Sequence, residues 1–236
     1  MATSVHLEGP VVGAEPSGSQ AGKDGVPNAT AQDAAVNLYW LPLGAGGHFV
    51  RFNGRVFEAA MALIQRRPTY DLYHSALEVS VPEGRFVIEQ TPVPDNRGAA
   101  RGVVAGGAVG SRWAGRLRAF RYEVRRWRDG VIPDIAEAVE SPVLLSTDGS
   151  CAHRVLHVAP SVPALVWGRD QVAAGEMWNS NSIIAWILES SGLDAVSIHP
   201  PSGGRAPGWQ AGLTLARRHG ARAIPARRDA HVLRPG

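Results

Sequence analysis

Alternating apolar and polar residues mark one β-hairpin near the middle of the chain. Residues 74–81 and 85–90 both alternate in this way, and the Pro-Glu-Gly segment between them is typical of a turn. We place the two-residue turn at Glu83-Gly84. Since successive side chains of a strand point to opposite faces, the hairpin has a predicted core face of Leu77, Val79, Val81, Phe86 and Ile88. The opposite face carries His74 and Glu89.

Helical spacing of apolar residues predicts two helices in the second half of the chain. The clearer one covers residues 182–191, and Gly192 supplies its C-terminal stop. Its buried stripe is formed by Ile183, Ile184, Ile187 and Leu188. Asn179 and Asn181 are both candidate N-caps for this helix. A shorter helix is predicted over residues 209–218.

One segment before the hairpin fits two structures. Asn53-Gly54 is typical of a type I′ hairpin turn, and it also suits the start of a helix. We prefer a helix over residues 54–67, because apolar residues recur at helical spacing and Arg66 and Arg67 suit a C-terminal turn ahead of Pro68.

The rest of the pattern completes an α+β prediction. Strands are predicted at residues 37–42 and 120–127, and a helix of one to two turns starts near Asp134. Two further segments, 154–158 and 162–167, are predicted as strands or extended connections, and residues 96–110 as mostly loop. The predicted fold class is α+β, with a small antiparallel sheet packed against a few helices.

Composition divides the 236 residues into three parts. Residues 1–35 are rich in Gly, Pro and Ser, which predicts a disordered leader. Residues 36–219 have the apolar content of one globular domain. Residues 220–236 are basic and contain proline, so we expect a flexible tail.

The same sequence bears on localisation. No window approaches the ~18 uninterrupted apolar residues of a membrane span. The first residues lack a basic region followed by an apolar stretch, and Cys151 is the single cysteine of the chain. We therefore expect a cytoplasmic protein without a membrane span.

The net charge is +3, and many arginines gather in one region, 112–128. Interleaved with Trp113, Tyr122 and Trp127, they resemble a nucleic-acid surface that pairs with phosphates and stacks on bases. Residues 124–129 nevertheless alternate as a solvated strand does. We therefore disfavour a nucleic-acid partner.

The start of the predicted 182–191 helix carries candidate chemistry. Ser180 and Ser182 lie where the first unpaired backbone N–H groups and the positive end of the helix dipole meet. Such a position favours developing negative charge and supplies donors to an oxyanion. A serine there is a candidate nucleophile if a base reaches it.

Two short motifs, the hairpin and the start of the 182–191 helix, together resemble those of a known superfamily. Tyr73-His-Ser-Ala-Leu-Glu-Val, Arg85-Phe-Val-Ile-Glu and Asn179-Ser-Asn-Ser-Ile are similar to the strand histidine, the returning strand and the Asn-Cys-Asn-His-Phe helix start of the circularly permuted papain-like hydrolases and acyltransferases. These include the lecithin:retinol acyltransferase-like and PPPDE-like groups. The resemblance covers residues 37–192 and implies a permuted papain-like fold.

The resemblance also implies roles for individual residues. Ser180 corresponds to the nucleophilic cysteine, His74 to the base and Glu89 to the group that orients the base; Asn179 and Ser182 complete the motif. The chain departs from the pattern by carrying serine, whose hydroxyl needs a general base during attack. The implied activity is attack on an acyl or amide carbonyl of a small-molecule or peptide substrate.

The alternative is a non-catalytic binding or scaffolding domain that keeps the same fold. In that case loops lined by Trp and Arg contact a partner, and the surface shows an exposed apolar patch. A nucleophile within reach of His74 distinguishes the enzyme from this alternative.

Metal and cofactor motifs are weak. Cys151, His153 and His157 are closely spaced, but no fourth zinc ligand accompanies them. The phosphate-binding glycine motifs and the Gly-x-Ser-x-Gly motif are absent from the sequence. We expect no metal and no cofactor.

Overall fold

The structure is a computed structural model and describes residues 33–43, 71–93 and 102–223. The helix predicted over residues 54–67 lies outside these ranges. So do residues 1–32 of the predicted leader and residues 224–236 of the predicted tail.

Within the described residues, seven strands form one sheet with the order β4-β5-β3-β2-β1-β6. The strands are β1 (Ala35–Pro42), β2 (Asp71–Val81), β3 (Gly84–Pro92), β4 (Val103–Ala108), β5 (Arg121–Arg128), β6 (Val143–Ser146) and β7 (Gly204–Arg205). Neighbours along this order are antiparallel. The two-residue β7 pairs in parallel with the start of β2.

Three α-helices are described: α1 (Gly149–Val158), α2 (Ser180–Ser190) and α3 (Trp209–Ala223). Short 3-10 turns lie at Ala114–Arg116, Arg118–Phe120, Ile135–Glu137 and Ala159–Ser161. The predicted α+β class is confirmed.

The sheet buries apolar side chains on both faces. The helix side holds the larger core, in which Trp40, Leu77 and Ile88 of the sheet pack with Ile183 and Ile187 of α2. Burying an aliphatic side chain of this size contributes about 1.5–3 kcal/mol. The second core, on the opposite face, consists of Tyr39, Leu41, Ala76, Val87 and Ile132.

The predicted hairpin is confirmed, and its turn lies one residue earlier than expected. Val81 pairs with Gly84, so the turn residues are Pro82 and Glu83. Proline suits the first central position of a turn because its φ is already fixed, while Gly84 accepts a φ of +136°. The predicted core face is unchanged, since moving the turn by one residue shifts the pairing register by two positions.

The prediction of loop over residues 96–110 is wrong for β4. The strand is rich in Gly and Ala and shows no alternation, so local pattern does not mark it. Its small residues instead fit the neighbouring strand: a Cβ on Gly107 would lie 2.7 Å from the Tyr122 ring.

The prediction of an extended segment at residues 154–158 is also wrong, because α1 spans it. The Asp148 side chain accepts a hydrogen bond from the Ser150 N–H and caps the helix. Cys151, Ala152, Val155 and Leu156 form its buried stripe. The predicted helix after Asp134 is a single 3-10 turn, Ile135–Glu137.

Candidate functional site

The start of α2 is locked by a reciprocal capping box. Asn179 is the N-cap, and its side-chain oxygen accepts from the Ser182 N–H at 3.2 Å. The Ser182 hydroxyl oxygen in turn accepts from the Asn179 N–H at 3.1 Å. Ser182 is fully buried, and its hydroxyl donates to the Gly208 carbonyl at 2.7 Å. Asn179 and Ser182 therefore hold the helix start against the loop that precedes α3.

Asn181 joins α2 to the sheet. Its Nδ2 donates to the Tyr73 and Pro207 carbonyls, each at 2.9 Å, and its Oδ1 accepts from the Ser75 hydroxyl at 2.9 Å. Asn181 is 2% exposed. These bonds involve the first part of β2, which precedes its pairing with β3; that pairing starts at Leu77. Sequence reasoning identified Asn181 as a candidate cap and missed this bridging role.

Ser180, the predicted nucleophile, is the first residue of α2 and is partly exposed. Within the described residues its hydroxyl makes no hydrogen bond. The side chain of β2 that meets the start of α2 is Ser75, through Asn181.

His74, the predicted base, lies on the other face of the sheet. Tyr73 and Leu77 belong to the helix-side core, and Ala76 belongs to the second core. Since side chains alternate along a strand, His74 shares the face of Ala76 and points away from α2. Asp134, in the loop after β5, is the charged group that acts on the His74 ring. The structure does not bring His74 and Ser180 together.

Glu89, the predicted orienting group, takes part in a buried charge cluster. Its carboxylate lies 3.5 Å from the Arg125 guanidinium, which also contacts Glu123 at 2.7 Å. Burial raises the pKa of the Glu89 carboxyl, and Arg125 opposes the shift. Arg125 thus pairs with the Glu89 carboxylate, which the resemblance expects to orient His74.

The half-buried position of His74 predicts a pH-dependent stability. Desolvation lowers the pKa of His74 to about 4, and Asp134 opposes the shift. Because the unfolded chain takes up this proton near its ordinary pKa of about 6.5, the folded state loses stability as the pH falls from 6.5 to 4, by roughly 3 kcal/mol. Denaturant unfolding between pH 7 and pH 4 measures the loss.

His74→Gln supplies the control for this prediction. The variant has no titrating ring. Between pH 7 and pH 4 it should therefore lose roughly 3 kcal/mol less stability than the unaltered protein. An identical pH dependence in both proteins would contradict the assignment.

Cys151, His153 and His157, the closely spaced candidate metal ligands, all lie on α1. Cys151 is buried in the stripe of α1. His153 is exposed and contacts the Gly149 carbonyl at 2.7 Å and Glu83 at 3.1 Å. In the described parts of the chain, no group of three or more His, Cys, Asp or Glu side chains could hold a metal ion.

A second surface feature lies in the connection between β4 and β5. We call residues 111–121 the tip segment. It contains exposed large apolar side chains: Trp113 is 74% exposed, Leu117 63% and Phe120 47%. These three are among the large apolar side chains that the described residues expose to solvent.

The tip segment also forms one wall of a groove of about 390 Å³. Its charged lining consists of Arg112, Arg116 and Arg121, all exposed. The remaining lining is small or apolar: Gly107, Ala108, Gly115, Ala164 and Val166. Within the described residues, no carboxylate forms an ion pair with any of these three arginines.

These features define the protein as an α+β domain with a capped, hydrogen-bonded helix start on one face of its sheet and an arginine groove at one end. None of the helices in the described ranges is long and apolar enough to cross a membrane. Comparison with family models, curated proteins and solved structures finds no match. The resemblance to permuted papain-like enzymes stays a prediction.

Proposed function

We propose that the protein is a non-catalytic binding domain that contacts an anionic partner through the tip segment and the arginine groove. The observation that carries this proposal is the groove, which is lined by three exposed arginines without carboxylate partners among the described residues and by small or apolar residues. Guanidinium groups bind carboxylate, phosphate and sulfate groups through paired N–H donors.

The local charge balance supports the same function. Residues 102–122 contain no Asp or Glu, and the first acidic residue after them, Glu123, is paired with Arg125. Like charges gathered on one surface repel each other, and an anionic ligand relieves this repulsion. Exposed Trp and Arg side chains are also the types that contribute most to binding at interfaces.

The catalytic interpretation has less support. Attack by Ser180 needs a base within hydrogen-bond reach or one water away. His74 shares the face of Ala76, away from α2, and the Glu89 carboxylate is engaged by Arg125. The remaining polar groups around Ser180 serve to hold the helix.

The proposal predicts that the protein binds a polyanion. This binding should depend on the arginines of the groove more than on an arginine elsewhere on the surface. On heparin resin, the protein is expected to be retained at low salt, and Arg121→Glu is expected to elute at markedly lower salt. The plot of log affinity against log salt concentration should become less steep, with its slope smaller in magnitude by about 1 or more, when this contact is lost. Arg128→Glu is the matched control, because it reverses one charge at the opposite end of the same strand.

Two results would contradict this function. Equal shifts for Arg121→Glu and Arg128→Glu would mean that net charge alone governs retention. Labelling by a fluorophosphonate probe that disappears in both Ser180→Ala and His74→Ala would instead establish an activated serine and an enzyme.

A further inference from the structure

The tip segment is anchored firmly to the sheet. β4 ends at Ala108 and β5 begins at Arg121, so the tip segment connects two paired strands at one end of the sheet. Next to it, the Trp167 N–H donates to the Ala108 carbonyl and the Gly110 N–H donates to the Trp167 carbonyl, both at 2.9 Å. The Arg169 side chain donates to the Gly110 carbonyl at 2.6 Å. The exposed side chains of the tip segment are therefore held on an ordered base.

The apolar side chains of the tip segment indicate what kind of partner it meets. Trp113, Leu117 and Phe120 lie within eight positions of each other, and each is about half exposed or more. Leu117 is aliphatic and is stabilised little by stacking on nucleobases, whereas its transfer from water into hydrocarbon is favourable. Trp113 is a residue that prefers the boundary between hydrocarbon and polar headgroups.

The arginines complete the pattern of an interfacial anchor. The Arg116 guanidinium lies 4.3 Å from the centre of the Trp113 ring, so one charged group and one apolar ring share a position. A base stacking on that face of Trp113 would have to displace Arg116. A bilayer surface accepts both groups as they stand, with the ring at the boundary and the guanidinium among phosphates.

We propose that the tip segment docks on the surface of an anionic phospholipid bilayer, with Trp113, Leu117 and Phe120 entering the boundary and the arginine groove receiving lipid phosphate or carboxylate groups. This inference rests on the proposed function and names the partner class of the same surface. Binding needs both contributions, because a few apolar side chains or a few charges alone give only weak attachment.

The test measures cosedimentation of the protein with vesicles of phosphatidylcholine alone and of equimolar phosphatidylcholine and phosphatidylserine. We expect binding to the anionic vesicles, weaker binding at high salt, and little binding to the neutral ones. Arg121→Glu should weaken the partition coefficient about fivefold or more, since each basic group near an anionic surface contributes about that factor. Arg128→Glu should leave it close to that of the unaltered protein.

The apolar contribution has its own matched pair. Leu117→Ser is expected to weaken binding to anionic vesicles about tenfold, because the side chain leaves water on docking. Leu144→Ser removes a leucine of similar exposure, 58%, from β6, and should leave binding unchanged. Vesicles with brominated acyl chains should quench tryptophan fluorescence, and Trp113→Leu should remove most of this quenching.

The outcomes separate this inference from the proposed function. No binding to anionic vesicles, or equal losses for Leu117→Ser and Leu144→Ser, would overturn membrane docking. If heparin retention still depended on Arg121, the proposed function would stand with another anionic partner. An oligothymidine that bound with the same dependence on Arg121, without vesicle binding, would identify that partner as single-stranded nucleic acid. If the unaltered protein bound neither heparin nor anionic vesicles, both proposals would be overturned.

Discussion

Asn181→Leu is expected to lower the free energy of unfolding by about 3–5 kcal/mol. The substitution removes the partner of the buried Ser75 hydroxyl and a donor from the Tyr73 carbonyl. The Pro207 carbonyl also loses a donor, but it keeps its bond from the Asn179 side chain. Each polar group left buried without a partner costs about 1–3 kcal/mol. Leucine is similar in size, so lost hydrogen bonding rather than lost volume dominates the change.

Denaturant unfolding of three further variants checks this prediction. Ser180→Ala, at the adjacent position, should change the stability by less than about 1 kcal/mol, since its hydroxyl makes no hydrogen bond in the described parts of the chain. Ser75→Ala should be much less destabilising in the Asn181→Leu background than alone. Similar stabilities of Asn181→Leu and Ser180→Ala would show that the junction does not depend on Asn181.

Gly212→Ala is expected to destabilise the protein by about 2–3 kcal/mol, although alanine is the better helix former. Gly212 lies in α3 where this helix meets α2. A Cβ there would overlap the Ser182 carbonyl oxygen and lie 2.9 Å from the Ala185 Cβ. Because the obstructing atoms belong largely to backbone, α3 has to move away from α2, and such overpacking costs about 1–3 kcal/mol or more.

Gly220→Ala provides the matched control in the same helix. A Cβ at Gly220 meets nothing within 4 Å, so this variant should be stabilised by up to about 1 kcal/mol through helix propensity. Thermal or denaturant unfolding of both variants measures the two changes in stability, which should have opposite signs. A stabilised Gly212→Ala would mean that α2 and α3 do not pack this closely.

Parts of the candidate site were accessible from the sequence. The apolar stripe of α2 and the Asn179 cap depend on neighbouring positions along the chain, and both are observed. Alternation along the hairpin also put His74 opposite the predicted core face, as the structure has it. Alternation does not say which face a helix 100 residues later will approach. The Asn181 bonds to Tyr73 and Ser75, together with the larger core, show that α2 lies on the face opposite His74.

The arginine groove shows the same division. The sequence displays the arginines and Trp113, and alternation over residues 124–129 predicts a solvated strand there. Residues 121–128 do form β5, but residues 122–125 are buried, because the sheet and its charge cluster cover them. Arg112 and Arg116 lie in the turns before β5. The groove also needs Ala164 and Val166, which reach it through the pairing of Val109 with Trp167. No local pattern reports that contact.

The sequence by itself determined the α+β class, the hairpin with its core face, and the helices α2 and α3, because periodic burial and caps act between residues close in the chain. Tertiary structure alone decided that β4 is a strand, that α2 approaches the face opposite His74, and that arginines and small residues enclose a groove. These depend on which distant segments pack together, and glycine, alanine and single polar side chains take their roles from those neighbours.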